Sequence, residues 1–157
     1  MHLSDISPSK GTYAGLRVLD PTSSLLYKHC LDNGIAVKKS MFDRRLHVTV
    51  LYSRKHCPSI KADPSAKHIA NFSSYDVFTD QNGKYVLVMK LNAPSVAARH
   101  LKLMSEHGAT YDYPEYLPHI TLSYDYDMPQ AVGITPFPHN IILGEEYVED
   151  LNLDWSA

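Results

Sequence analysis

Apolar runs separated by Pro, Gly and Asn divide the chain into short strands and two longer helices. The stretch TYAGLRVL (residues 12–19) predicts a strand. Asp20-Pro21 behind it supplies a cap and a first-turn proline for a helix that runs to about Asn33 and stops at Gly34. A mixed, basic connection over 35–45 leads into a strand at 46–53, and 54–65, with Pro58 and Pro64, reads as a loop. Two strands then flank Gln81-Asn82-Gly83-Lys84, because Asn and Gly both tolerate the positive φ of a tight hairpin. The second arm, KYVLVMKL, runs into Asn92-Ala93-Pro94 and a second helix, where Ala97, Leu101 and Met104 form an apolar face and Gly108 is the stop. A tyrosine-rich loop, ATYDYPEYL, precedes another strand, and the tail HNIILGEEYVEDLNLDW predicts two more strands around Gly144.

Strand, helix, loop, strand thus occurs twice. The fold class is α/β (α+β), as one domain over 1–157 with an internal duplication covering approximately 12–53 and 84–125. The repeat carries chemistry. LHVTVLY ends at Tyr52 and PHITLSY at Tyr124, and the pairs His47/His119, Thr49/Thr121 and Tyr52/Tyr124 are each 72 positions apart. Tyr13/Tyr85 and Leu19/Leu91 keep the same interval. Two equivalent units pack naturally about a pseudo-two-fold axis, which brings the two His-Thr pairs face to face.

Residues i and i+2 of a strand share a face. His47 with Thr49, and His119 with Thr121, therefore look one way. Val48, Val50 and Tyr52, with Ile120, Leu122 and Tyr124, look the other way, into the core. Two imidazoles on one ligand suit proton transfer near neutral pH, one as base and one as acid. Phosphodiester cleavage needs both, and the threonine hydroxyls are suited to hydrogen-bond the phosphate oxygens as charge builds there. The sequence has no HExxH, no His-x-His and no GxSxG, so metal catalysis and a serine or cysteine nucleophile find no support. The other seven histidines, His100 among them, read as surface or helix positions.

Composition changes the picture only by exclusion. The chain is 44% hydrophobic and 20% charged, which is globular rather than disordered. A net charge of -2 gives no long basic face for extended nucleic acid. No apolar run approaches the ~18 residues of a membrane span. Cys30 and Cys57 form no CxxC and read as a reduced pair in a cytoplasmic setting.

Twin His-x-Thr strands in a duplicated domain resemble the 2H (two-histidine) phosphoesterase superfamily. That resemblance implies a bilobal domain, two antiparallel sheets around a central groove, and no metal or other cofactor. More closely, MHLSDISPSKGTYAGLRVL, LHVTVLYSR, YLPHITLSYDY and ILGEEYVEDLNLDW look like the phage anti-CBASS phosphodiesterases. These cleave cyclic di- and trinucleotide messengers, such as cyclic GMP-AMP and cyclic tri-AMP, in the cytoplasm of an infected bacterium. The resemblance implies that a cyclic oligonucleotide is the partner, that His47 and His119 are the acid-base pair, and that Thr49 and Thr121 hold the phosphate. Tyr13 then stacks a nucleobase, Glu146 accepts from a base amino edge, Trp155 packs over the groove and Arg54 offsets phosphate charge. A 2′,3′-cyclic phosphate or 2′-5′ RNA phosphodiesterase, and a non-enzymatic nucleotide sponge, are the alternatives.

Overall fold

The computed structural model describes residues 10–44 and 46–153. Among the described residues, six strands and three helices occur in the order β1 (Lys10–Val18), α1 (Thr22–Asp32), α2 (Lys39–Arg44), β2 (His47–Ser53), β3 (Lys67–Thr79), β4 (Tyr85–Asn92), α3 (Pro94–His107), β5 (His119–Tyr126) and β6 (Ile141–Asn152). All strand pairs are antiparallel, and they close into a ring in the order β1-β2-β5-β4-β3-β6. Exchanging β1 for β4, β2 for β5 and β3 for β6 leaves that order unchanged. The two sides of the ring are joined unequally. Four residue pairs link Lys67–Ala70 of β3 to β6, whereas β2 meets β5 through one pair, Val48 with Ile120.

The strands form because they carry β-branched and long apolar side chains at the buried positions. Leu16, Val48, Val50, Leu51, Leu87, Met89, Ile120, Leu122, Ile141 and Leu143 are all fully buried in one continuous core. Helix α1 adds Leu26 and Cys30, and both cysteines are buried and free. Burial in apolar surroundings pushes the Cys30 thiol up to about 12, so it stays protonated. Helix α1 ends as expected, with Gly34 in the left-handed region at φ 71° and Ile35 N–H closing back on Cys30 O at 2.9 Å.

The β3–β4 hairpin forms around residues 81–84 as expected, and the Asp80 carboxylate organises the turn by accepting from Asn82 N–H (2.8 Å) and Lys84 N–H (2.9 Å). Three local expectations need correction. The 35–45 connection contains the short helix α2, packed on α1. The tail is one strand, β6, bent by a bulge between Tyr147 and Gly144, where Glu145 takes φ 48°. On α3 the buried stripe is Val96, His100 and Leu103, while Leu101 is exposed. A histidine fits inside that stripe because its Nδ1 reaches Val50 O at 2.7 Å.

Candidate active site

Period-2 alternation holds through the first half of each motif. Val48 and Ile120 are fully buried, and His47, Thr49, His119 and Thr121 are half-buried on the other face. The single Val48–Ile120 pair sets the register between the strands. In an antiparallel pair it puts His47 across from Thr121 and Thr49 across from His119. The four side chains expected to act together are therefore neighbours on one face.

Alternation then breaks at the same place in both motifs. Ala14 pairs with Leu51 but Gly15 with Thr49, so Val50 is an extra, bulged residue. Leu87 pairs with Ser123 but Val88 with Thr121, so Leu122 is bulged likewise. Each bulge adds one residue and reverses the facing of the residues beyond it. Tyr52 and Tyr124, expected in the core, are instead half-buried and exposed, respectively. Tyr124 lines a cleft of about 780 Å³ together with His47, Thr121, Leu46, Lys38 and Lys84.

Register also shows that the 72-residue interval does not hold on the flanking strands. Arg17 stands across from His47 and Lys90 across from His119, and these two are 73 apart. Each histidine thus faces a cation on its outer neighbour, a correspondence hidden in the sequence by the one-residue shift. Arg17 Cζ lies 4.7 Å from the centroid of the Tyr147 ring, and Lys90 Nζ is 3.0 Å from Asp76 Oδ2.

The hydroxyl and ring orientations are fixed by neighbours. Tyr13 is buried, and its hydroxyl is 2.9 Å from Thr49 Oγ1. Burial pushes its phenol above the ordinary value, so it remains a neutral hydroxyl. Its ring packs edge-on to His47 (6.3 Å between centroids) and tilted against Tyr147 (5.9 Å). Gly15 makes this possible, since a Cβ there would come within 2.7 Å of the Tyr147 ring and 3.0 Å of Tyr13. His119 donates Nδ1–H to Leu117 O at 3.0 Å, which orients its ring. Phe78, 44% exposed, lies edge-on to the His119 ring at 6.2 Å.

A sequence profile described as "Anti-CBASS protein Acb1" matches residues 10–157. Similar proteins with that description come from Vibrio phage KVP40 (37% identical, covering 100% of this chain and 98% of that one), Acinetobacter phage Ac42 (35%, 99% and 99%) and Enterobacteria phage T4 (30%, 94% and 93%). The chain belongs to the anti-CBASS protein Acb1 family. An anti-CBASS role implies a cyclic oligonucleotide as ligand.

Two of the side chains expected to bind that ligand are engaged elsewhere in this Acb1 family member. Glu146 is inaccessible, and both its oxygens are taken: Arg99 Nη2–H and Nε–H donate at 2.7 and 2.9 Å, and Asp63 N–H at 3.1 Å. It anchors β6 to α3 and the 54–66 loop, outside the cleft beside His47 and Thr121. Glu149 is the exposed carboxylate of β6 that pairs across from Tyr13 and shares its face. Arg54 makes a bidentate pair with Asp112, at 2.9 and 3.0 Å, so its charge is spent on the tyrosine-rich loop. Trp155 lies outside the described residues. Among the described residues, no group of three or more His, Cys, Asp or Glu is placed to hold a metal ion, and no helix is long and apolar enough to cross a membrane.

Proposed function

We propose that this Acb1 family member is a metal-independent phosphodiesterase of the 2H type that opens cyclic di- and trinucleotide messengers in the cytoplasm of an infected bacterium. One observation carries the reading: the Val48–Ile120 register sets two His-Thr pairs diagonally on one half-exposed face, His47 beside Thr121 and Thr49 beside His119. The ring order and the repeated bulges support an internal duplication whose two halves each supply half of the site.

In this reading one histidine takes the proton from a ribose 2′-hydroxyl as its oxygen attacks the adjacent phosphorus. The other gives a proton to the departing 5′-oxygen, and a 2′,3′-cyclic phosphate results. Water then opens that ring with the two roles exchanged. Thr49 and Thr121 donate to the non-bridging oxygens. Thr49 is free to do so when Tyr13 O–H is the donor to Thr49 Oγ1, a role that suits a phenol held neutral. Arg17 and Lys90 stand one across from each histidine, but Glu145 and Asp76 already pair with them, so they add little potential at the phosphate. Glu149 and Phe78 stand on the same face as polar and aromatic contacts for the bases.

The test is a substrate panel in EDTA: cyclic GMP-AMP, cyclic tri-AMP and an RNA with a 2′,3′-cyclic phosphate end, with products separated by chromatography. Cyclic GMP-AMP is expected to open, with a bell-shaped rate profile in pH. His47→Ala and His119→Ala are each expected to lower kcat by about 10²–10⁴. Turnover only when metal is added defeats the proposal. Much faster cleavage of the RNA end replaces it with the RNA-processing reading.

A further inference from the structure

Two half-sites on separate strands need a fixed spacing, and the β-ladder between them is a single pair. A second connection runs through residues 116–119. Tyr116 O–H donates to Thr49 O at 2.6 Å, the next residue's carbonyl, Leu117 O, receives His119 Nδ1–H at 3.0 Å, and two residues later comes His119 itself. One short segment therefore grips the backbone of the first half-site and the ring of the second.

The grip on β2 is built, not incidental. Bulging Val50 out of the β1 ladder leaves its carbonyl in need of a donor inside the protein. His100 Nδ1–H supplies it at 2.7 Å, and both residues are buried. The His100 ring stacks on Tyr116 with centroids 4.2 Å apart and planes 9° apart, and Tyr111 closes edge-on at 4.7 Å from His100. Burial raises the Tyr116 phenol, keeping it a donor. Two successive carbonyls, Thr49 O and Val50 O, are thus held by two stacked rings from the second half of the chain. The arrangement is one-sided: at the 73-residue interval that relates β4 to β1, His100 corresponds to Tyr27, whose ring packs on Phe42 at 5.5 Å.

We propose that Tyr116 and His100 are positioning residues that set the spacing and orientation of the two half-sites. This rests on the phosphodiesterase reading above. Tyr116→Phe removes the hydroxyl and keeps the stack. It is expected to lower kcat toward cyclic GMP-AMP by about 10–100-fold, the cost of a displacement near 1 Å, with KM within about twofold and the fold intact by circular dichroism. His100→Leu should behave similarly, while His100→Asn, which keeps a donor near the Nδ1 position, should recover part of the loss. The Thr49 methyl and His119 ring resonances should move in Tyr116→Phe.

A Tyr116→Phe protein with kcat within about twofold of the parent and unmoved Thr49 and His119 resonances overturns the proposal. So does a lowered melting temperature with kcat unchanged, since that marks packing alone. Should the His100 variants not fold, Tyr116→Phe decides. Should the parent itself leave every cyclic substrate intact, the phosphodiesterase reading falls, and the brace is judged on the two resonances: shifted supports it, unmoved overturns it.

Discussion

Glu146 separates a structural role from a ligand-binding one, and the two give opposite signatures on mutation. Glu146→Ala removes the carboxylate that accepts from Arg99 twice and from Asp63 N–H once. Breaking a buried ion pair from one side costs about 3–5 kcal/mol. The Glu146 side chain is 0% exposed but Arg99 is 21% exposed, so the stranded guanidinium regains some water and the lower end applies, about 3 kcal/mol. For a domain of this size that is a melting point lower by about 6–12 °C, and a large share of a total stability of ~5–15 kcal/mol. Glu146→Gln keeps one acceptor but turns an amide N–H toward an Arg99 donor, so it should fall between the parent and the alanine variant. The assay pairs urea and thermal unfolding with steady-state cleavage of cyclic GMP-AMP at about 20 °C, well below the transition. Unfolding should shift while KM stays within about twofold. A melting point unchanged within about 2 °C together with a KM raised more than about tenfold would refute the reasoning and return Glu146 to the ligand.

Three other outcomes rest on the geometry. Gly15→Ala places a Cβ against Tyr147 and Tyr13, and should cost about 1–3 kcal/mol by overpacking while lowering kcat through the displaced Tyr13 hydroxyl; calorimetry and kinetics on one sample check both, and unchanged activity contradicts the Tyr13–Thr49 coupling. Acid should destabilise the fold. Lys90 holds the Asp76 carboxyl below its ordinary value, Ser23 does so for Asp20, and Ser65 for Asp63. The unfolded chain therefore binds more protons, and their contribution, complete above about pH 4–5, is lost as pH falls through the folded values. Urea midpoints should drop between about pH 5 and pH 3, less steeply in Asp76→Asn; an equal slope in that variant excludes Asp76. Arg54→Ala should leave KM for cyclic GMP-AMP within about twofold because its charge is already matched by Asp112, and a KM raised more than about tenfold would put Arg54 on the phosphate.

The four central side chains were legible because period-2 alternation and a repeated heptapeptide are local signals. His47, Thr49, His119 and Thr121 needed only the strand rule and a partner strand. What failed was nonlocal. A bulge inserts one residue without a mark in the apolar pattern, so Tyr52 and Tyr124 were assigned to the wrong face while Val50 and Leu122 on the same strands were assigned correctly. The one-residue shift of β4 against β1 hid the match between Arg17 and Lys90. Glu146 and Arg99 lie 47 positions apart, and Arg54 and Asp112 lie 58 apart. No window along the chain pairs them, so both charged residues looked available for ligand. His100 read as a surface or helix position; it does lie on α3, and only the carbonyl freed by the Val50 bulge makes its burial there sensible.

Closure of the ring has a consequence for connectivity. Lys10 and Asn152 pair directly across β1 and β6, so the two ends of the described fold stand side by side. A few linking residues could join them and new ends could be cut at the solvent-exposed 80–84 turn, giving a circular permutant with every strand partner retained. In that permutant β4, α3 and β5 would be synthesised before β1, α1 and β2. The fold depends on which strands lie next to one another around the ring, and the order in which the ribosome delivers the two half-sites is interchangeable.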